Sequence, residues 1–191
     1  MLNHVKVLVL LSLFCGCAFG AAGQTAAIKI SDFATELWSK CNVTVTTDPM
    51  PSPDGTETVY KVAVAATAPA YIIQTIFATA PTNTFSIYTK KGNLATAKFL
   101  MRNGTSNIDF TPGGFDYDAG VITGGGWTVE KLSNGWFKLT YTNSATEKIA
   151  EGNSVMLYAG YVGSNYNAGD FIYVCGAAIE PGASASSQSN P

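Results

Sequence analysis

The stretch GDFIYVCGAAIEPG, Gly169–Gly182, decides how the chain is read. It begins as an apolar run rich in aromatic and β-branched residues, the types that suit a pleated, half-buried surface. It stops at Pro181 and Gly182, which break such a run. It carries no catalytic pattern, so it reads as a buried strand. Similar segments recur upstream. NVTVTT, TVYKVAVAA and AYIIQTIFA are short and β-branched. NTFSIYTKK alternates Phe85, Ile87 and Thr89 against Ser86, Tyr88 and Lys90, a period of two with one face buried and one half wet. AKFLMRN repeats the pattern, and SVMLYAGYV precedes the final run. GWTVEKL and GWFKLTYTN are separated by Ser133-Asn134-Gly135, which predicts a hairpin turn. MPSPDGTE is a turn, and SNIDFTPGGFDYDAGVITGGG is mainly loop with short strands. One segment, SDFATELWSK, places Phe33, Leu37 and Trp38 at helical spacing, with Ser31 or Asp32 as its cap.

Nine or ten short strands, one short N-terminal helix and frequent turns predict an all-β chain, an antiparallel β-sandwich rather than a parallel α/β sheet. The 191 residues suffice for one domain. A chain of that size buries roughly 68–70% of its unfolded surface and needs no staple. The net charge is −2, with 13% charged residues. The cations are scattered, with no run longer than Lys90-Lys91, which excludes the basic stripe of a nucleic-acid binder. No internal repeat is visible, and no cofactor is expected.

The ends differ from the middle. Residues 1–23 hold the apolar run VLVLLSLF followed by AFGAAG. The run is short for a membrane span. It reads as a signal peptide cleaved after Gly20 or Ala22, as a lipidated leader at Cys17 in FCGC, or as an uncleaved apolar assembly arm. Cleavage would remove His4, the single histidine, and with it every Ser-His or Cys-His pair and histidine metal site. It would also leave two of the four cysteines, Cys41 and Cys175. Residues 24–182 form the expected domain, and 183–191, ASASSQSNP, read as a disordered polar tail.

FATELWSKCNVTVT…PSPDGTETVYKV resembles the opening of a jelly-roll, carbohydrate-binding-like module of bacteriophage virion proteins. Phe33, Trp38, Lys40, Pro53, Asp54, Gly55 and Thr56 carry that resemblance. TFSIYTKKG is similar to the module's central strand, LSNGWFKLTYT to its Asn-Gly-Trp strand, and AGDFIYVCGAAIEPG to its closing strand. The likeness covers roughly residues 31–182. Two positions depart from it: Cys175 stands where the closing strand usually has Trp, and Ala178 where it has Gln. The resemblance implies a jelly roll of the kind found in tail fibres, tailspikes and capsid fibre or decoration proteins, some of which bind glycans. It places the first and last strands side by side, which would bring Cys41 near Cys175. These would form a disulfide if the protein is exported, or stay buried free thiols in a virion assembled in the cytoplasm.

The leading expectation is therefore a non-catalytic virion accessory protein with multiple copies, sister subunits or other virion proteins as partners. The alternatives are an exported envelope adhesin and, least favoured, a polysaccharide-active enzyme. The expected glycan site is the Tyr161–Asp170 loop, YVGSNYNAGD. There Tyr161 and Tyr166 offer rings, Asn165, Asn167 and Asp170 offer hydroxyl partners, and Trp127 forms a second wall. Trp38 and Trp136 read as core. Asp116 and Asp118, with Asp109 or Asp170, could hold Ca²⁺, and the same pair could act as a glycosidase acid and nucleophile, although scattered surface acids are the favoured reading of them. TGGGW lacks the Gly-Lys-Ser/Thr of a phosphate loop.

Overall fold

The structure, a computed structural model, describes residues 28–76, 83–102, 113–124, 126–142, 154–161 and 163–181. The leader, the polar tail and Asp109 lie outside them. The described residues form thirteen strands in two antiparallel sheets. The strands are β1 (Ile28–Lys29), β2 (Ser39–Cys41), β3 (Val43–Asp48), β4 (Val59–Val64), β5 (Ala70–Thr75), β6 (Asn83–Lys91) and β7 (Thr96–Arg102). β8 (Gly113–Asp116), β9 (Val121–Thr123), β10 (Trp127–Lys131), β11 (Trp136–Thr142), β12 (Ser154–Gly160) and β13 (Phe171–Pro181) follow.

One sheet runs β10-β11-β6-β13-β4-β3, with β1 added beside β13; the other runs β2-β5-β12-β7-β8-β9. From β4 to β7, and again from β11 to β13, each successive strand crosses to the opposite sheet. This is the winding of a jelly-roll sandwich, and the expected all-β architecture holds. The apolar inner faces meet in one core. Phe85, Ile87, Leu139, Ile172 and Val174 from one sheet pack against Ile72, Phe99, Phe115, Val155 and Leu157 from the other. Each such fully buried side chain contributes about 1.5–3 kcal/mol. Thr89 also points inward, and its hydroxyl shares a 2.5 Å hydrogen bond with the buried Tyr117 Oη.

The hairpin turn is where the sequence puts it. Asn134 (φ 56°) and Gly135 (φ 76°) adopt left-handed conformations, and Leu132 N donates to Trp136 O at 2.8 Å. The N-terminal helix is a correction. Residues 31–38 make two successive turns, closed by Thr35 N to Asp32 O and Trp38 N to Thr35 O. Helical spacing would bury Phe33 with Leu37, yet Leu37 is 71% exposed. The core takes Phe33 and Trp38 instead, with ring centroids 4.9 Å apart. Trp38 Nε1 donates to Ile30 O at 2.9 Å. Lys40 Nζ donates to the carbonyls of Ala34, Thr35 and Trp38.

Candidate functional site: a cleft on the outer face of the larger sheet

β13 lies between β6 on one side and β4, then β1, on the other. Its alternation breaks once. Val174 faces the core, then Cys175 and Gly176 both face outward, and Ala177 and Ile179 face the core again. The register against β6 shifts between Cys175 and Ala178, a β-bulge. Gly176 adopts φ +56°, a conformation that costs other residues. A Cβ there would lie 2.6 Å from the Tyr88 ring. Tyr88, opposite Cys175 on β6, thus lies close against the bulge.

The bulge has a chemical consequence. Just past it, the outer face carries the small residues Gly176, Ala178 and, opposite Ala178, Ser86. These small residues make the floor of a small cleft of about 50 Å³ walled by Tyr88. Lys138, Lys29, Glu57, Asp54 and Glu180 form the rim. Lys29 reaches there because β1 pairs with β13 at Ala178, and its Nζ meets Glu57 Oε1 at 2.9 Å. That hydrogen bond and charge raise the Lys29 pKa. Burial works against ionisation of Asp54, but hydrogen bonds from Thr56 N and Ser52 Oγ outweigh it and hold the carboxyl below its usual range. Burial, then the nearby Asp54, raises the Tyr88 phenol, which stays a neutral donor at neutral pH. A flat ring beside carboxylates and ammonium groups is suited to a polyhydroxylated ligand: the ring takes an apolar face, and the rim takes hydroxyls in either hydrogen-bonding sense.

Several of the residues expected to bind glycan are engaged in packing or in bracing their own loop. Trp127 is a core residue, 9% exposed, with its ring against Phe85, Phe99 and Tyr141. Tyr166 is half-buried against the core, its ring covering Gly160 so closely that a Cβ there would lie 2.6 Å away. Asp170 braces the loop. Its Oδ2 accepts from Asn167 N at 2.7 Å and its Oδ1 from Asn93 Nδ2 at 2.9 Å. Tyr161 is pinned through Ser164, while Asn165 and Asn167 remain exposed. Asp116 Oδ1 accepts from the amides of Asp118 and Ala119, and Asp118 pairs with Lys91 at 2.6 Å. Asp116 thus closes a turn and Asp118 makes an ion pair, and the described residues gather no group of three metal-ligating side chains.

The cysteine pairing is a further correction. Cys41 is half-buried on β2 of the smaller sheet, and Cys175 is buried on the outer face of the larger one with Val59 and Trp136; both are free thiols. The N-terminal strands divide between the sheets, so that β2 is not a neighbour of β13. Both positions where the closing strand departs from the phage-module pattern, Cys175 and Ala178, face this outer surface. With Ala178 in place of Gln, the cleft floor is open.

The geometry defines a class first: the fold is that of the jelly-roll β-sandwiches found among carbohydrate-binding modules. No protein-family profile matches the sequence, and no protein of curated function matches it. Among solved structures, the chain is similar to a mutant of a family 29 carbohydrate-binding module (TM-score 0.52, 9% identity, 87% of this chain and 99% of that one). It is also similar to the CBM22-1–GH10 modules of Clostridium thermocellum xylanase 10B complexed with xylohexaose (TM-score 0.51, 10% identity, 85% of this chain). The chain spans about 30% of that xylanase chain. A further match is the enzymatically active domain of tailspike protein 4 of bacteriophage CBA120 (TM-score 0.48, 14% identity, 78% of this chain and 20% of that one).

The cleft residues Ser86, Tyr88, Lys138 and Gly176 were not singled out by the sequence. The signal available was the half-wet face of NTFSIYTKK, taken with the two departures in the last strand.

Proposed function

We propose that this chain is a carbohydrate-binding β-sandwich without catalytic activity of its own, and that it serves in many copies on a phage virion surface. The observation that carries the binding reading is the cleft: a small-residue floor at Ser86, Gly176 and Ala178, one aromatic wall, and a rim of both charges. The fold likeness to carbohydrate-binding modules supports it without assigning a ligand. An open site this small binds weakly, with Kd in the millimolar to micromolar range, about −4 to −8 kcal/mol. Many copies displayed together convert such contacts into useful avidity.

The test is retardation of the full chain in native gels containing neutral soluble polysaccharides such as xylan and mixed-linkage glucan. Tyr88→Ala should abolish retardation while the protein stays folded by circular dichroism. Retention of wild-type retardation in that variant would move the site elsewhere. Absence of retardation by any glycan would leave a structural role only.

The hydrophobic leader sequence favours a second reading, an exported envelope adhesin using the same cleft. Mass spectrometry of the mature N-terminus on purified particles separates the two. A chain recovered with the particles supports the virion, whereas a chain cleaved after Gly20 or Ala22 and found only in the envelope supports export.

A further inference from the structure

Beside the cleft, the same outer face carries one continuous cross-strand row. Trp136, Lys90, Tyr173, Lys61 and Thr46 stand opposite one another in turn on β11, β6, β13, β4 and β3. The lysines are held by rings. Lys61 Nζ lies 3.9 Å from the Phe171 ring centroid, and Lys90 Nζ lies 6.0 Å from that of Trp136. Among the described residues neither ammonium has a carboxylate within 4 Å. A third lysine, Lys138, lies over Tyr88 at 5.7 Å and joins this row to the cleft rim. The acids nearby are Glu130, opposite Lys138, Asp48, whose Oδ1 already accepts from Met50 N at 3.0 Å, and the cleft acids Glu180, Glu57, paired with Lys29, and Asp54, held by Ser52 and Thr56. Among the described residues, Lys61 and Lys90 thus present two ammonium groups without a carboxylate partner on an aromatic surface.

We propose that this row selects anionic polysaccharides, chains bearing a carboxylate on alternate sugars, as the ligands of the adjoining cleft. The inference rests on the glycan-binding reading and adds the ligand class to it. The backbones of Lys90 and Lys61 are two strands apart, about 9.5 Å along the row, close to the repeat of an extended disaccharide, and their flexible side chains adjust the ammonium spacing to it. One carboxylate then meets each ammonium, and the sugar between them lies over Tyr173. Lysine is a compact point charge that accepts a carboxylate without a fixed fork geometry, which suits a flexible polymer. Single-stranded nucleic acid is the poorer fit, because it needs exposed rings for successive bases, and Trp136 is 1% exposed.

The test uses the full chain in native affinity gels containing hyaluronan, whose carboxylates fall on alternate sugars, or its methyl-esterified form. The acidic polymer should retard the protein, esterification should remove most of the effect, and raising the salt should weaken it. Lys61→Gln/Lys90→Gln should weaken binding about tenfold, the sum of two exposed charge contacts, while Lys61→Arg/Lys90→Arg should retain it. Equal retardation by both polymers, or wild-type behaviour of the glutamine variant, would overturn the proposal. So would lysine-dependent binding of oligothymidylate in place of hyaluronan. If neutral glycans still bind through Tyr88 when hyaluronan binds no better, only this inference fails. If no glycan binds at all, the glycan reading fails with it.

Discussion

Replacing Gly176 by alanine tests the bulge on which the cleft depends. Two costs are expected. The left-handed backbone at φ +56° penalises any residue with a Cβ by about 1–2 kcal/mol. The new methyl would stand 2.6 Å from Tyr88 Cδ2 and 2.9 Å from Cε2, so the ring must swing away, an overpacking cost of about 1–3 kcal/mol. The total is about 2–5 kcal/mol, which for a domain of this size lowers Tm by roughly 4–20 °C. The assay is urea denaturation of wild type, Gly176→Ala, Tyr88→Ala and the double variant. If the ring is the obstacle, Tyr88→Ala removes the overpacking and leaves the backbone cost, so the double variant is about 1–3 kcal/mol more stable than the two single effects predict. A stability for Gly176→Ala within about 0.5 kcal/mol of wild type, or additive effects in the cycle, would refute the geometry.

Other outcomes follow from the same structure. Cys41 should react with a thiol reagent in the native protein and Cys175 only after unfolding, since burial pushes its thiol up to about 12; reductant should leave Tm unchanged. Trp127→Ala should destabilise by about 3–5 kcal/mol, as a core deletion does, a result read by thermal melting and opposite to that for an exposed ligand wall. Burial, then the hydrogen bond to Asp32, raises the Tyr60 phenol from 10.0 to about 12. The unfolded chain therefore releases that proton first. The associated stability is intact below pH 10 and lost as pH rises towards 12, a slope that Tyr60→Phe should flatten in alkaline denaturation. Lys91→Gln should cost less than about 1 kcal/mol by urea titration, because its partner Asp118 is exposed.

Much of the fold was legible because strand alternation is local. Phe85, Ile87 and Thr89 face inward as their spacing requires, and Ser133-Asn134-Gly135 turns as its residues require. The helix over residues 31–38 was misread because Leu37 imitates a periodic position, whereas burial of Trp38 against Phe33 depends on the Ile30 carbonyl before the segment and on Tyr60 well beyond it. The site was hidden for a related reason. Ser86 faces Ala178 only through a register set across about ninety residues and shifted by the bulge, which no local pattern announces. Loop aromatics drew attention instead, and the structure puts Tyr166 to packing and Trp127 into the core.

The central position of β13 also governs when the protein can take its shape. Phe171–Pro181 joins β10-β11-β6 to β4-β3 and receives β1 as well. While a ribosome is still making residues before 171, the larger sheet exists only as two fragments with open hydrogen-bonding edges, the state most prone to pairing with the wrong chain. Every contact that closes it spans a long stretch of sequence, which makes closure slow. The nascent chain is therefore exposed to wrong pairing until β13 emerges.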